Sequence, residues 1–191
     1  MIDLDQLGPE SAKSFRGQEA VDVRVRPAAR AKQEIDYGRR GKGYIFGAVR
    51  PATGDAFTQD YRRRTIVHWL DFLEQVDAWV PAEVERIYAI VDNLNVHHSD
   101  NVLFFCLTHP RWEFVFQPKY AASLNLIEPW GKVLRSLAFK GRCFATWEEL
   151  ATAAREATAY WQAHKHPFIW GRRRRHRPPR RPGIALMPKV A

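Results

Sequence analysis

The spacing of hydrophobic and polar positions changes along the chain, and those changes predict its elements. Met1 to Asp5 reads as a short strand. Gly43 to Val49 (GYIFGAV) is a β-prone run, and PATG at Pro51 to Gly54 supplies turn chemistry before a second candidate strand at Ala56 to Tyr61, which together predict a hairpin. From Thr65 to Trp79, Ile66, Val67, Leu70, Phe72, Leu73, Val76 and Trp79 recur at helical spacing, and the pattern stops before Pro81. Arg86 to Val91 is a continuous apolar run of strand length, as expected of a parallel strand covered on both faces. Beyond it the pattern predicts a short helix over Asn101 to Thr108, a strand at Trp112 to Phe116 and a helix from Leu126 to Phe139. A last helix opens at TWEE, where Thr146 and Glu149 have capping-box spacing, and runs to His164. Arg24 to Ile35 is charged and reads as a solvated loop.

Strands leading, crossover helices following and acids at strand ends predict an α/β sheet with a hairpin at one side. In such sheets ligands bind beyond the carboxyl ends of the strands. The 191 residues suit one domain over residues 1–170, followed by a basic tail over 171–191. No apolar run is long enough to span a membrane, and the N-terminus lacks the basic-then-apolar pattern of a secretion signal, so a cytoplasmic location is expected. Cys106 and Cys143 lack metal-ligand spacing and read as reduced packing residues. The formal charge of +9 is mostly local, because Gly171 to Gly183 carries seven arginines and no acid, and without them the balance is +2. Arginine runs neutralise phosphates and release counterions, which makes nucleic acid the leading partner; a disordered solubilising end is the plainer alternative.

Candidate chemistry lies in three acids. Asp5 follows the first apolar residues, Asp92 ends the central run in IVDN, and Glu128 stands at the start of a helix in SLNLIEPWGK. Carboxylates brought together from strand ends and a helix would suit hard divalent cations, which prefer oxygen ligands. Taken singly, each has an ordinary reading: Asp5 as a turn residue, Asp92 with Asn93 as turn chemistry, and Glu128, three residues after Asn125, as part of a helix cap. Periodicity does not choose between these readings.

The aspartate of IVDNLNVHHS and, after thirty-five intervening residues, the glutamate of SLNLIEPWGKVLRSLAFKGRCF resemble the second and third acids of DDE transposases, in the insertion-sequence branch of the mariner superfamily. EIDYGRRGKGYIFGAVRPATGDAF is similar to that family's central hairpin block, and DQLGPESAKSF to the segment carrying its first acid. The resemblance implies a ribonuclease-H-like fold, a mixed sheet flanked by helices, with Asp5, Asp92 and Glu128 as catalytic ligands of two Mg²⁺ or Mn²⁺ ions. It implies cleavage of transposon ends and transfer of the freed 3′-hydroxyl strand to target DNA, with a homodimer bringing two ends together. Many relatives have a glutamate where this chain has Gln6. Such proteins also carry N-terminal helix-turn-helix modules, whereas Met1 lies four residues before Asp5; a partner chain supplying that module and a catalytically inactive DNA-binding remnant are the corresponding alternatives. The first strand is the element such a start would shorten.

Around the acids, Asn95 and His97 are candidates for DNA contact, with turn-forming and structural roles as alternatives. Lys132 and Arg135, four and seven residues after Glu128, share a helix face with it and are candidate grips on the DNA backbone. Arg172, Arg173, Arg174 and Arg175 are expected to bind phosphates without reading sequence. Asn125 is the expected cap of the Glu128 helix. Trp112, Trp130, Trp147, Trp161 and Trp170 are expected mostly in the core, with base stacking as the alternative.

Overall fold

A computed structural model describes residues 1–12, 41–118 and 125–168. The expected loop at Arg24 to Ile35, Trp170 and the arginine tail lie outside those residues. Five strands, β1 (Ile2–Ser11), β2 (Lys42–Arg50), β3 (Asp55–Tyr61), β4 (Ile87–Val91) and β5 (Trp112–Phe116), form one sheet in the order β3-β2-β1-β4-β5. The first three are antiparallel neighbours, while β1, β4 and β5 run parallel. The helices are α1 (Ile66–Trp79), α2 (Asp100–Thr108), α3 (Ile127–Ala138) and α4 (Trp147–His164), and a 3₁₀ turn covers Asn95–His98.

Strand alternation sends side chains to two cores, one on each face of the sheet. Ile2, Leu4, Phe46, Ala48, Ile87, Ala89 and Val91 meet α1 and α2 on one face. Ile45, Val49 and Ala56 meet α3 and α4 on the other. The α1 stripe packs through Trp69, Phe72, Leu73 and Val76; Val67, expected on that stripe, is 69% exposed, and Trp69, outside the expected set, is completely buried. Thr65 caps α1 by accepting from the His68 amide at 3.3 Å. Thr146 caps α4 through the Glu149 amide at 3.2 Å, but the Glu149 carboxylate reaches back to the Ala145 N–H at 2.8 Å, one residue earlier than the expected box.

Two expectations about strands need correction. β1 is ten residues long, and Asp5 lies within it rather than at its end. Gly8 and Pro9 fall at a register irregularity between Leu7 and Glu10, past which the pairing with β2 resumes. β4 is indeed parallel on both sides, but it is covered on one face only: Ile87, Ala89 and Val91 are buried, whereas Tyr88 is 42% exposed. α3 packs over β1 and β2, and α4 over β2 and β3, so neither shields β4 and β5. Cys143 is exposed in the turn after α3 and is not a packing residue; both cysteines are free thiols.

Candidate active site

The register of the sheet brings the first two acids together. In the parallel pair β1–β4, Asp3 faces Ile90, so two residues further along each chain Asp5 comes level with Asp92, just past the end of β4. Strand alternation points Asp5 to the face that carries α3, while Asp92, past the end of β4, turns its carboxylate to His97. On the other side of β1, Asp5 pairs with Gly47 of β2. A β-carbon at Gly47 would stand 3.1 Å from the Ile127 side chain and 3.2 Å from the Trp130 ring. Glycine here lets the first turn of α3, with Glu128, settle close to Asp5.

The cap of that turn is Leu126, which has no side-chain cap bond, rather than the expected Asn125; the Asn125 side-chain oxygen, one residue earlier, accepts from the Ile127 amide at 3.3 Å. Pro129 falls within the same turn, where its missing N–H costs little. Ile127, Trp130 and Leu134 are buried under α3, while Glu128 and Lys132 face outward. A cleft of about 270 Å³ opens between β1 and α3, lined by Asp5, Gln6, Glu128, Lys132 and Arg135 among others. Asp92 stands on the opposite flank of β1 from this cleft, so the acids straddle the strand.

Each carboxylate is held differently. Burial pushes the Asp5 carboxyl up; the Gln6 N–H, donating at 2.6 Å, opposes the shift, while the charges of Asp92 and Glu128 add to it. Burial also acts on Asp92, but hydrogen bonds from His97 and the Leu94 N–H, with the charge of Arg64, more than offset it and hold the carboxyl below its ordinary range. Carboxylate oxygens gathered near a buried acid are the donor chemistry that fits a hard divalent cation. Among the described residues no three such side chains are close enough to grip one ion as they stand; the acids do not form a closed cage.

The other sequence candidates fare unevenly. Asn95 and Lys132 are exposed and free to meet a ligand. His97 is 1% exposed and lies against Trp69 with ring centroids 4.4 Å apart and planes tilted by 38°, so the expected DNA contact is corrected to a buried structural position. Arg135 is no free cation: it forks onto Glu10, donating from Nε at 3.0 Å and Nη2 at 2.8 Å to the same carboxylate oxygen. Asn93 donates to the Gln117 carbonyl at 2.7 Å, pinning the loop after β4 to the end of β5. Trp112, Trp130, Trp147 and Trp161 are all buried, as expected of core residues. Arg172, Arg173, Arg174 and Arg175 lie outside the described residues.

Sequence reasoning passed over Asp3. It is completely buried, and burial pushes its carboxyl up to about 6, opposed by the Leu126 amide and the chain's amino terminus. Neither carboxylate oxygen has a hydrogen-bond partner among the described residues, so the Leu126 amide acts from beyond bonding geometry. The available signal was the two-residue spacing of IDLD, which puts Asp3 and Asp5 on one face of the strand.

A model of the DDE superfamily endonuclease family matches residues 14–151, a span that includes Asp92 and Glu128 and begins after Asp5. The insertion element IS630 uncharacterized 39 kDa protein of Shigella sonnei is 22% identical over 156 residues, covering 77% of this chain and 45% of that protein. The chain thus spans about half the length of the curated relative it matches. Among solved structures, the catalytic core domain of BIV integrase superposes with a TM-score of 0.51 at 16% identity, over 65% of this chain and 78% of that one. A simian T-cell lymphotropic virus intasome in complex with PP2A regulatory subunit B56 gamma gives 0.49 at 17% identity, over 60% and 41%. The fold is ribonuclease-H-like, and the chain belongs to the DDE endonuclease superfamily.

Proposed function

We propose that this chain is the catalytic domain of an insertion-sequence transposase, in which Asp5, Asp92 and Glu128 hold two divalent ions, Mg²⁺ or Mn²⁺, against a DNA phosphodiester. The observation that carries the reading is the register that brings Asp5 level with Asp92, with the first turn of α3, and Glu128 on it, seated close over Gly47 beside Asp5. Bound ions of this kind activate an attacking oxygen and stabilise the departing one in an in-line displacement.

The residues of the chain supply position and charge. β1 pairs with β2 at Asp5 and with β4 at Ile2 and Asp3, which fixes the strand that carries this carboxylate. The bond from the Ile127 amide to Asn125 and the close approach at Gly47 set the height of Glu128 above the sheet. Lys132, one turn beyond Glu128 and exposed, suits a backbone phosphate entering the cleft. Arg135 is oriented by Glu10 and acts as a fixed edge of the cleft rather than a mobile grip. Partners in this reading are the element's ends and target DNA, with a second copy of the chain, acting wherever the cell keeps its DNA. No described helix is long and apolar enough to cross a membrane.

The test is a nicking and strand-transfer assay on DNA carrying the element's ends, in Mg²⁺ and in Mn²⁺. Asp92→Asn is expected to abolish both activities while circular dichroism stays that of the wild type. Undiminished nicking by Asp92→Asn rejects the assignment.

A further inference from the structure

Between Asp92 and β1 lies a buried side chain that the proposed chemistry does not use. His97 sits in the 3₁₀ turn five residues after Asp92, its side chain sealed from solvent. Its Nδ1 is 2.9 Å from Asp92 Oδ1 and 3.1 Å from the Asp92 carbonyl oxygen. Its Nε2 is 3.0 Å from Gln6 Nε2. Gln6 follows Asp5 on β1, so one imidazole joins the loop that carries the second acid to the strand that carries the first.

The hydrogen-bond inventory orders the protons. Both neighbours of Nδ1 are acceptors, an ionised carboxylate and a carbonyl, so Nδ1 carries the hydrogen. Nε2 then accepts from the Gln6 amide. Turning that amide over would place its carbonyl on Nε2 and leave an NH₂ group where the Gln6 oxygen now sits, buried without a partner; a buried unpaired donor is rarer than an under-satisfied carbonyl. Trp69, packed on the ring, fixes its plane.

We infer that His97 is a positioning residue: with its proton on Nδ1 and its ring oriented by Gln6, it clamps the Asp92 carboxylate at the level of Asp5. The inference rests on the metal-site reading above. Outer partners that orient ligands change metal affinity by about 10- to 100-fold when removed, so the clamp belongs to metal binding rather than to DNA contact.

Mn²⁺ binding measured by calorimetry on the whole chain, without DNA, tests it. His97→Leu keeps an apolar filler but removes the donor, and is expected to weaken Mn²⁺ binding by about 10- to 100-fold. His97→Asn, whose amide nitrogen stands where Nδ1 was, is expected to restore most of that loss. Equal affinity in His97→Leu and wild type, or equal loss in His97→Leu and His97→Asn, overturns the inference, since a ring that only packs cannot tell the two apart. Should His97→Leu fail to fold, Gln6→Met carries the comparison, and wild-type affinity there counts against the clamp. Nitrogen NMR of the wild-type imidazole is expected to show a proton on Nδ1 and none on Nε2; the reverse tautomer or a doubly protonated ring also overturns it. If the wild type binds no Mn²⁺, or Asp92→Asn binds it equally well, the site reading itself fails, which is a different result from a His97 variant that changes nothing.

Discussion

The middle of β1 and the end of β4 each present an aspartate to the same place, and they hold it in opposite ways. Asp5 sits within a ten-residue strand paired on both sides, with one backbone N–H on its carboxylate and two like charges nearby, so its proton affinity is raised. Asp92 sits just beyond a five-residue strand, half exposed, bonded by His97 and the Leu94 N–H, and its proton affinity is lowered. The rigid strand supplies location without electrostatic relief; the loop supplies relief and takes its location from a histidine. A cation between the two would release the stress on the first and compete for the second, which is how a site can be ordered before its metal arrives.

The largest expected effect treats the two acids alike. Asp5→Asn and Asp92→Asn should each lower metal-dependent nicking on the order of a thousandfold or more, as for groups that act as a unit; a residual rate near wild type in either breaks the pairing.

The next effect belongs to the β1 side. Asp3 is raised in the folded state to about 6, so between the ordinary carboxylate value of 3.8 and about 6 the folded chain holds more protons than the unfolded one. Stability should therefore fall as pH rises through that window, by up to ~3 kcal/mol at 1.36 kcal/mol per unit. Asp3→Asn should flatten this part of the curve, and urea unfolding at pH 4 and pH 7 measures it. An unchanged slope would mean that Asp3 is not the buried group responsible.

A smaller effect separates the two acids without metal. Asp5→Asn removes a raised carboxyl and should stabilise the chain at neutral pH. Asp92→Asn removes an ionic hydrogen bond and should destabilise it by about 1 kcal/mol, a value discounted for the exposure of Asp92. The Asp92 contribution is present above the ordinary carboxylate value and is lost as pH falls through its lowered one. Shifts of the same sign in the two variants would remove the contrast drawn here. The smallest effect is at the cleft edge: Glu10→Gln should cost a few tenths of a kcal/mol and release Arg135, seen as faster exchange of its guanidinium protons.

Much of the fold was legible because its signals are local. The hairpin, the α1 stripe and caps, β5 at Trp112–Phe116 and the opening of α4 are carried by neighbours in sequence. The full length of β1 was not legible, because only the partner strand β2 shows that pairing resumes past Gly8 and Pro9. The exposed face of β4 was hidden for a similar reason: an apolar run shows what a strand can bury, and the placement of α3 and α4 decides what it does bury. At the site, three acids could be named, but the burial of His97 and the Glu10–Arg135 pair could not, because the latter joins residues 125 positions apart.

The sequence by itself determined the alternation and helical periods, the turns and caps, and the identity of the acids available for chemistry, since each depends on residues within a few positions of one another. Only the tertiary structure decided that Asp5 stands level with Asp92, that Gly47 lets α3 bring Glu128 close, and that His97 faces inward between Gln6 and Asp92. Register, close approach and burial are relations between distant segments, and the electrostatics that give a carboxylate its character follow from what the fold places around it.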